Sequence, residues 1–270
     1  MTSKEKIMCG VFGAFNVPAA AEVIAYGLHG LQHRGGDGAG IYVHDGQTGR
    51  LYTDFGSVSS IFLETKNPLE NLVGTNGVGH TRYATVSDTS GKTNLQPIRF
   101  EVDDTFIAFA HNGNFPDYKE VKRRHLQGTP FVSQVDSEVF FRLSLRQTRM
   151  RFSLSAVAEI LNVMQGSCSA VMSRPDRLIA IRDPSGCRPL YWGRKGDGYV
   201  VASEPSSLDA VDVFEYEEVP PGCIMAFTDD RIERFQMPPL AYLKQCTFEL
   251  VYFAFPAGEI FGVDVADFRI

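Results

Sequence analysis

Residues 9–15 read Cys-Gly-Val-Phe-Gly-Ala-Phe, with Met8 directly before them. A cysteine opens a short apolar and glycine-rich run closed by Asn16 and Pro18, the pattern of a buried strand. From Pro18 to Leu31 the positions Ala20, Val23, Ile24, Gly27, Leu28 and Leu31 then recur at helical spacing, and Gly35-Gly36 ends the pattern. A strand feeding a helix, with a reactive side chain at the strand's first residue, sets the frame for the rest of the chain.

Working outward, further strands are expected at 40–43, 77–83 and 105–111, each bounded by Gly, Asn or Asp. The middle reads as helical at 118–126, 137–147 and 153–164, the last with Ser153 in position to cap it. After Gly166 the period shortens, and 167–173, 178–182, 198–203, 223–228 and 231–236 read as strands separated by Pro, Gly and Asp turns. Strands, a helical block, then strands again predict an α+β fold with helices on the outer faces of antiparallel sheets. Neither an internal repeat nor a low-complexity linker splits the 270 residues, so one main domain is expected.

Composition narrows the function. With 26 basic and 32 acidic residues the formal charge is −6, and no basic run offers phosphate backbones or an anionic bilayer a grip. Apolar stretches such as 250–256 fall far short of the roughly 18–20 residues that span a membrane. MTSKEKIMCG lacks the apolar region of a secretory signal, so a cytoplasmic location is expected. Five cysteines, odd in number and without a C-x-x-C pair, argue against a disulfide framework and a zinc ribbon. His29 and His33, four apart on the first helix, read as a helix-end pair, since no adjacent Glu or third ligand accompanies them.

Four segments carry chemistry: 8–13, Leu31-Gln32-His33-Arg34-Gly35, Gly79-His80-Thr81-Arg82-Tyr83 and His111-Asn112-Gly113-Asn114. If residues 1–8 are lost, or translation starts at Met8 and that methionine is removed, the Cys9 thiol and a free α-amine share one residue. A thiol of pKa about 8.5 then carries its own general base of about 8. Asn112 and the Gly113 N–H offer two donors from one turn for an oxyanion, Arg82 a two-pronged grip on a carboxylate, and Asp136 a partner for an ammonium.

Taken in order, LQHRGGDGAGI, VGHTRYATVSDTSGKTNLQPI, AHNGN, VDSE, IRDPSGCRPL, VVASEP, VPPGCI and CTFELVYFAFP resemble the class II glutamine amidotransferases, a family of N-terminal-nucleophile (Ntn) hydrolases. Within that family the chain is most similar to the glutaminase domain of amidophosphoribosyltransferases, which open purine biosynthesis. The resemblance implies a four-layer αββα sandwich, two antiparallel sheets between helical layers. It also implies glutamine hydrolysis to glutamate and ammonia through a thioester on Cys9, with Asn112 and Gly113 as oxyanion hole. Arg82 would bind the glutamine α-carboxylate and Asp136 its α-amine. Thr85 would make a further glutamine contact, and Arg34 would order the nucleophile's surroundings. No metal or other cofactor is expected.

The resemblance divides the chain into a leader at 1–8, the amidotransferase domain at 9–245 and a junction at 246–270 toward a phosphoribosyltransferase domain absent from this sequence. A separate synthase or phosphoribosyltransferase polypeptide is the expected partner, and self-association stays open. Two other readings stand beside this one: an amidotransferase subunit serving another acceptor, and a noncatalytic glutamine-binding subunit with Cys9 blocked. Gly36, Val86-Ser87, Val135, Phe255 and Ala257 depart from the family pattern, the last two at the junction. Cys246 falls where some members place one iron–sulfur ligand; here it reads as a structural thiol.

Overall fold

A computed structural model describes residues 8–64, 68–83, 91–102, 105–147 and 153–270. In chain order its elements are β1 (Cys9–Phe15), α1 (Ala20–Gly30), β2 (Gly38–His44), β3 (Gly49–Asp54), β4 (Asn76–Arg82), β5 (Ile98–Val102), β6 (Thr105–Asn114), α2 (Tyr118–His125), α3 (Asp136–Gln147) and α4 (Leu154–Val163). There follow β7 (Ser167–Arg174), β8 (Arg177–Arg182), β9 (Tyr191–Lys195), β10 (Gly198–Ala202), α5 (Pro205–Asp209), β11 (Tyr216–Glu218), β12 (Cys223–Phe227) and β13 (Ile232–Gln236). A small hairpin of β14 (Glu259–Ile260) and β15 (Val263–Asp264) precedes α6 (Val265–Arg269).

Two antiparallel sheets result. The first has the strand order β11-β9-β10-β1-β4-β2-β3, the second β13-β12-β8-β7-β6-β5. Strand alternation divides their side chains among three apolar layers. Phe12 and Ala14 of β1 face outward and pack with Ile24 and Leu28 of α1 and Leu208 of α5. Val11 and Phe15 face inward, where they meet Ala108, Ala110, Val171 and Ala180 of the opposite sheet. On the far side, Phe109 stacks on Phe140 and Phe141 of α3, and Val157 and Leu161 of α4 complete that layer. Helix, sheet, sheet, helix is the four-layer arrangement that the resemblance implies.

Local chemistry explains the contacts that set the layer spacing. An added Cβ at Gly27 would lie 2.3 Å from the Phe12 ring, so only glycine lets α1 approach β1 this closely. At Gly40, within β2, it would lie 2.4 Å from the Gln96 carbonyl oxygen, a second close backbone approach. Ser153 caps α4, its hydroxyl accepting the Ala156 N–H at 3.1 Å.

The strands β3, β5, β9 and β11 go beyond the pattern read from the sequence. β3 and β5 sit at sheet edges, and β3 is half-exposed along its length, so neither shows a clean buried-exposed alternation. β9 offers only Tyr191 and Trp192 before Gly193-Arg194-Lys195, too short an apolar run to stand out. Residues 249–265 pack back on the outer layer of the first sheet: Ala254, Ile260 and Val265 are buried with α1 and α5 residues. No helix among the described residues is long and apolar enough to cross a membrane.

Candidate active site

Register places the reactive residues. In the β1–β4 ladder Cys9 stands opposite Arg82 and Val11 opposite His80. Val11 and Val78 belong to the inter-sheet layer, so by period two Cys9, His80 and Arg82 face inward as well. From the facing sheet, Ala108 and Ala110 of β6 lie in that same layer, which turns Asn112 inward too. His111 and Gly113 lie on the other face of β6.

A pocket of about 560 Å³ opens at this end of the sandwich. Cys9, His80, Arg82, Gly113 and Asp136 line it, together with Gln96, His111, Tyr118 and Ser137. Four residues singled out by sequence therefore share one cavity: Cys9, Arg82, Gly113 and Asp136. Asn112 is fully buried beside it, and both its amide atoms lack a hydrogen-bond partner among the described residues. An unpaired buried amide costs stability, which sets Asn112 apart from the hydrogen-bonded polar groups around it. Thr85 and Val86-Ser87 lie outside the described residues.

The Gly113 N–H is directed by its neighbours. Along a strand, successive N–H groups point to alternate edges. His111 N–H donates to Gln96 Oε1 at 2.8 Å, and Asn114 N–H donates to Ser167 Oγ on the opposite edge at 3.1 Å. Gly113 N–H therefore points to the Gln96 edge, beyond Ile98 where β5 begins, and Cys168 opposite it donates instead to Asp183 Oδ2 at 2.9 Å.

The pocket wall is braced by neutral imidazole and charge. His111 Nε2–H donates to the Ser167 carbonyl at 3.1 Å while its Nδ1 accepts from Ser137 Oγ at 3.0 Å, which defines the tautomer. Burial lowers the His111 pKa, keeping it neutral. Burial, then the positive Arg82, push His80 down to about 3. Asp136, first residue of α3, accepts Phe115 N–H and Ser137 N–H, each at 2.8 Å. Glu138 receives the N–H of Val132 and of Ser133, at 3.1 and 2.7 Å, and so shapes the loop that brings Gln134 and Val135 to the cavity.

Beneath Cys9 lies a buried ion network. Arg34 Nε donates to the Cys9 carbonyl at 3.0 Å, and its two terminal nitrogens grip Glu249 at 3.0 Å each. Arg34 also binds Glu204, which accepts His33 Nε2 at 3.1 Å and Phe255 N–H at 2.9 Å. Arg188 donates to Glu249 at 2.9 Å and contacts the Met8 sulfur at 3.1 Å. Two guanidinium groups thus oppose two carboxylates, an arrangement that offsets the cost of burying them. Arg34 lies outside the pocket and holds the Cys9 backbone from below. Glu204, Glu249 and Arg188 were not singled out in the sequence; their signal is a charge embedded in apolar surroundings, as in Val-Ala-Ser-Glu-Pro and Phe-Glu-Leu-Val-Tyr-Phe.

With Met8 attached, burial raises the Cys9 thiol to about 11, against the lowering influence of the Tyr83 backbone, Arg82 and Arg34. The metal alternatives are engaged elsewhere: His29 meets Ser59 Oγ at 3.1 Å and His33 meets Glu204. Among the described residues no group of three or more His, Cys, Asp and Glu is placed to hold a metal ion.

Residues 80–210 match the family described as glutamine amidotransferase domain, and the chain carries a class II glutamine amidotransferase domain. Its homologues are amidophosphoribosyltransferases. The chloroplastic enzyme of Glycine max is 37% identical over 98% of this chain and 47% of its own length. That of Bacillus subtilis is 34% identical over 97% of this chain and 54% of its own. A solved structure of the B. subtilis glutamine phosphoribosylpyrophosphate amidotransferase, complexed with ADP and GMP, superposes with a TM-score of 0.85 at 33% identity, covering 95% of this chain and 55% of that one. The chain spans about half the length of these relatives.

Proposed function

We propose that this chain is a glutaminase that releases ammonia from glutamine through a thioester on Cys9. The observation that carries the reading is the shared pocket, in which Cys9 and Arg82 face each other across one ladder with the Gly113 N–H and Asp136 on the opposite wall. Arg82 takes the glutamine α-carboxylate and Asp136 the α-ammonium, which points the side-chain amide at Cys9. Loss of residues 1–8 exposes the Cys9 α-amine. The amine removes the thiol proton, and sulfur attacks the amide carbon. The Asn112 amide and Gly113 N–H receive the oxyanion. The protonated amine then gives its proton to departing ammonia, and a water activated by the same amine cleaves the thioester to glutamate.

The Arg34 network supports this chemistry by fixing the Cys9 carbonyl, and with it the strand from which the thiol projects. The relatives' names support delivery of the ammonia to a phosphoribosyltransferase, as a partner polypeptide or a further part of the protein. The 9–245 segment is the glutaminase domain, and 246–270 is the junction that also completes its ion network.

Glutamate release by protein beginning at Cys9, beside Cys9→Ala, tests the reading. Turnover lost in the variant is expected; equal glutamate release by both overturns it. Glutamine binding without turnover by protein beginning at Cys9 would establish the noncatalytic reading instead. Ammonia-dependent phosphoribosylamine formation with an added phosphoribosyltransferase separates that acceptor from any other.

A further inference from the structure

His80 is a buried side chain of the pocket that the chemistry above leaves without a task. It stands two residues before Arg82 on β4, on the same face, and lines the same cavity as Cys9. Exposure falls from 8% at Arg82 to 1% at His80, so His80 lies at the deeper end. Its ring meets the His111 backbone, yet neither ring nitrogen completes a hydrogen bond among the described residues. Other buried polar groups of the wall are engaged. Gln96 Oε1 accepts the His111 N–H at 2.8 Å, His111 uses both ring nitrogens on Ser137 and the Ser167 carbonyl, and Asn94 Oδ1 accepts the Gln134 N–H at 3.1 Å.

A carboxamide needs more from such a pocket than an oxyanion hole. Its oxygen accepts and its NH2 donates, so a buried acceptor must face the nitrogen or binding is weakened. A neutral imidazole has one N–H and one bare nitrogen. Burial beside the Arg82 cation keeps His80 neutral, so it presents one acceptor and no charge. A glutamine held at its α-carbon by Arg82 and Asp136 extends its side chain toward Cys9. Its amide oxygen then meets the Asn112 amide and the Gly113 N–H, and its nitrogen needs a partner of its own.

We propose that His80 is the residue that selects glutamine over glutamate, its unprotonated ring nitrogen accepting a hydrogen bond from the substrate's carboxamide NH2. Glutamate has the same length and carries only acceptors at that end. One carboxylate oxygen would face the imidazole lone pair with no hydrogen between them. A site built to pair with a substrate donor rejects an analogue that lacks it, because its own polar atom is then left buried and unpaired. The same contact disfavours glutamate as product once the thioester is cleaved. The placement of glutamine rests on the glutaminase reading; the discrimination is a matter of binding and needs no turnover.

The test uses the chain beginning at residue 9 with Cys9→Ala, so that ligands bind without being consumed, and titrates glutamine and glutamate by calorimetry. The preference for glutamine should fall about tenfold when His80→Leu is added and less with His80→Asn, whose amide oxygen can still accept. An unchanged preference in the leucine variant overturns the proposal. A second measurement keeps the imidazole in place and labels the histidines with nitrogen-15. The bare-nitrogen signal of His80, assigned by its loss in His80→Asn, should move on addition of glutamine and not of glutamate. A signal that moves with neither, or equally with both, overturns the proposal even where His80→Leu does not fold. Selective glutamine binding through His80 by a protein that releases no glutamate would sink the glutaminase reading and leave this one standing.

Discussion

Cys9 and Arg82 are directly opposed residues of one antiparallel ladder, and Arg82 is also the register partner of Gly38 on its other side. Opposed side chains on one face have Cβ atoms about 4.5–5.5 Å apart, so thiol and guanidinium are placed by strand register and not by a mobile loop. A slip of one residue would turn both away from the pocket. The geometry of the proposed site is thus as secure as the pairing of β1 with β4.

Thiol reactivity should depend on Met8. While Met8 is attached, burial holds the Cys9 thiol near 11, so alkylation by iodoacetamide at pH 7.5 should be slow. Protein beginning at Cys9 should react at least tenfold faster, followed by peptide mass analysis. Equal rates would contradict a role for the α-amine.

Asn112→Ala should lower kcat by about 10²–10³-fold with little change in KM, the pattern of a lost oxyanion donor. Its side chain has no hydrogen-bond partner among the described residues, so the melting temperature should stay within a few degrees of the parent. A change confined to KM would place Asn112 in glutamine binding instead.

Arg34→Met leaves Glu204 and Glu249 buried without their central cation. Removing one side of such a network costs about 3–5 kcal/mol, read as a lower urea midpoint at unchanged slope. Glu249→Gln, which leaves Arg34 its bond to Glu204, should cost less.

Stability should fall on the acid side of pH 6.5. His80 has a folded pKa lowered to about 3, whereas an unfolded histidine binds its proton near 6.5. Between those values the unfolded chain holds the extra proton, so stability is fully present above pH 6.5 and declines as pH falls toward 3, by about 1.4 kcal/mol per unit. Buried His111, also lowered, adds in the same direction. His80→Asn should flatten the pH profile of urea unfolding by about one proton.

Gly35→Ala should harm fold and activity together. Its backbone is extended, so the obstacle is space: the new Cβ would lie 2.4 Å from the Arg82 carbonyl carbon. Displacing that backbone should cost about 1–3 kcal/mol and shift Arg82, raising KM for glutamine. A variant with parental melting temperature and KM would contradict the close approach.

Much of the architecture was legible because short-range rules determine it. β1 was readable to the residue, since its apolar run ends at Asn16 and nothing competes with a strand. The start of α4 was equally plain from Ser153. β11 was invisible, because Tyr216-Glu217-Glu218 carries no apolar pattern and its pairing with β9 is a tertiary event. At the site, the same contrast holds. Cys9, Arg82 and Asn112 sit in local motifs, whereas Glu249 meets Arg34 across more than two hundred residues and no local signal couples them.

That separation has a consequence for biosynthesis. A ribosome releases Arg34 early, and a growing chain can offer it Glu204 only after most of both sheets have been made. Glu249 emerges later still, so the floor under Cys9 is completed only after every strand of the two large sheets has been made. A nascent or truncated chain lacking residue 249 carries a buried guanidinium with half its partners. The order in which the chain is made therefore delays assembly of the support under Cys9 until both large sheets exist.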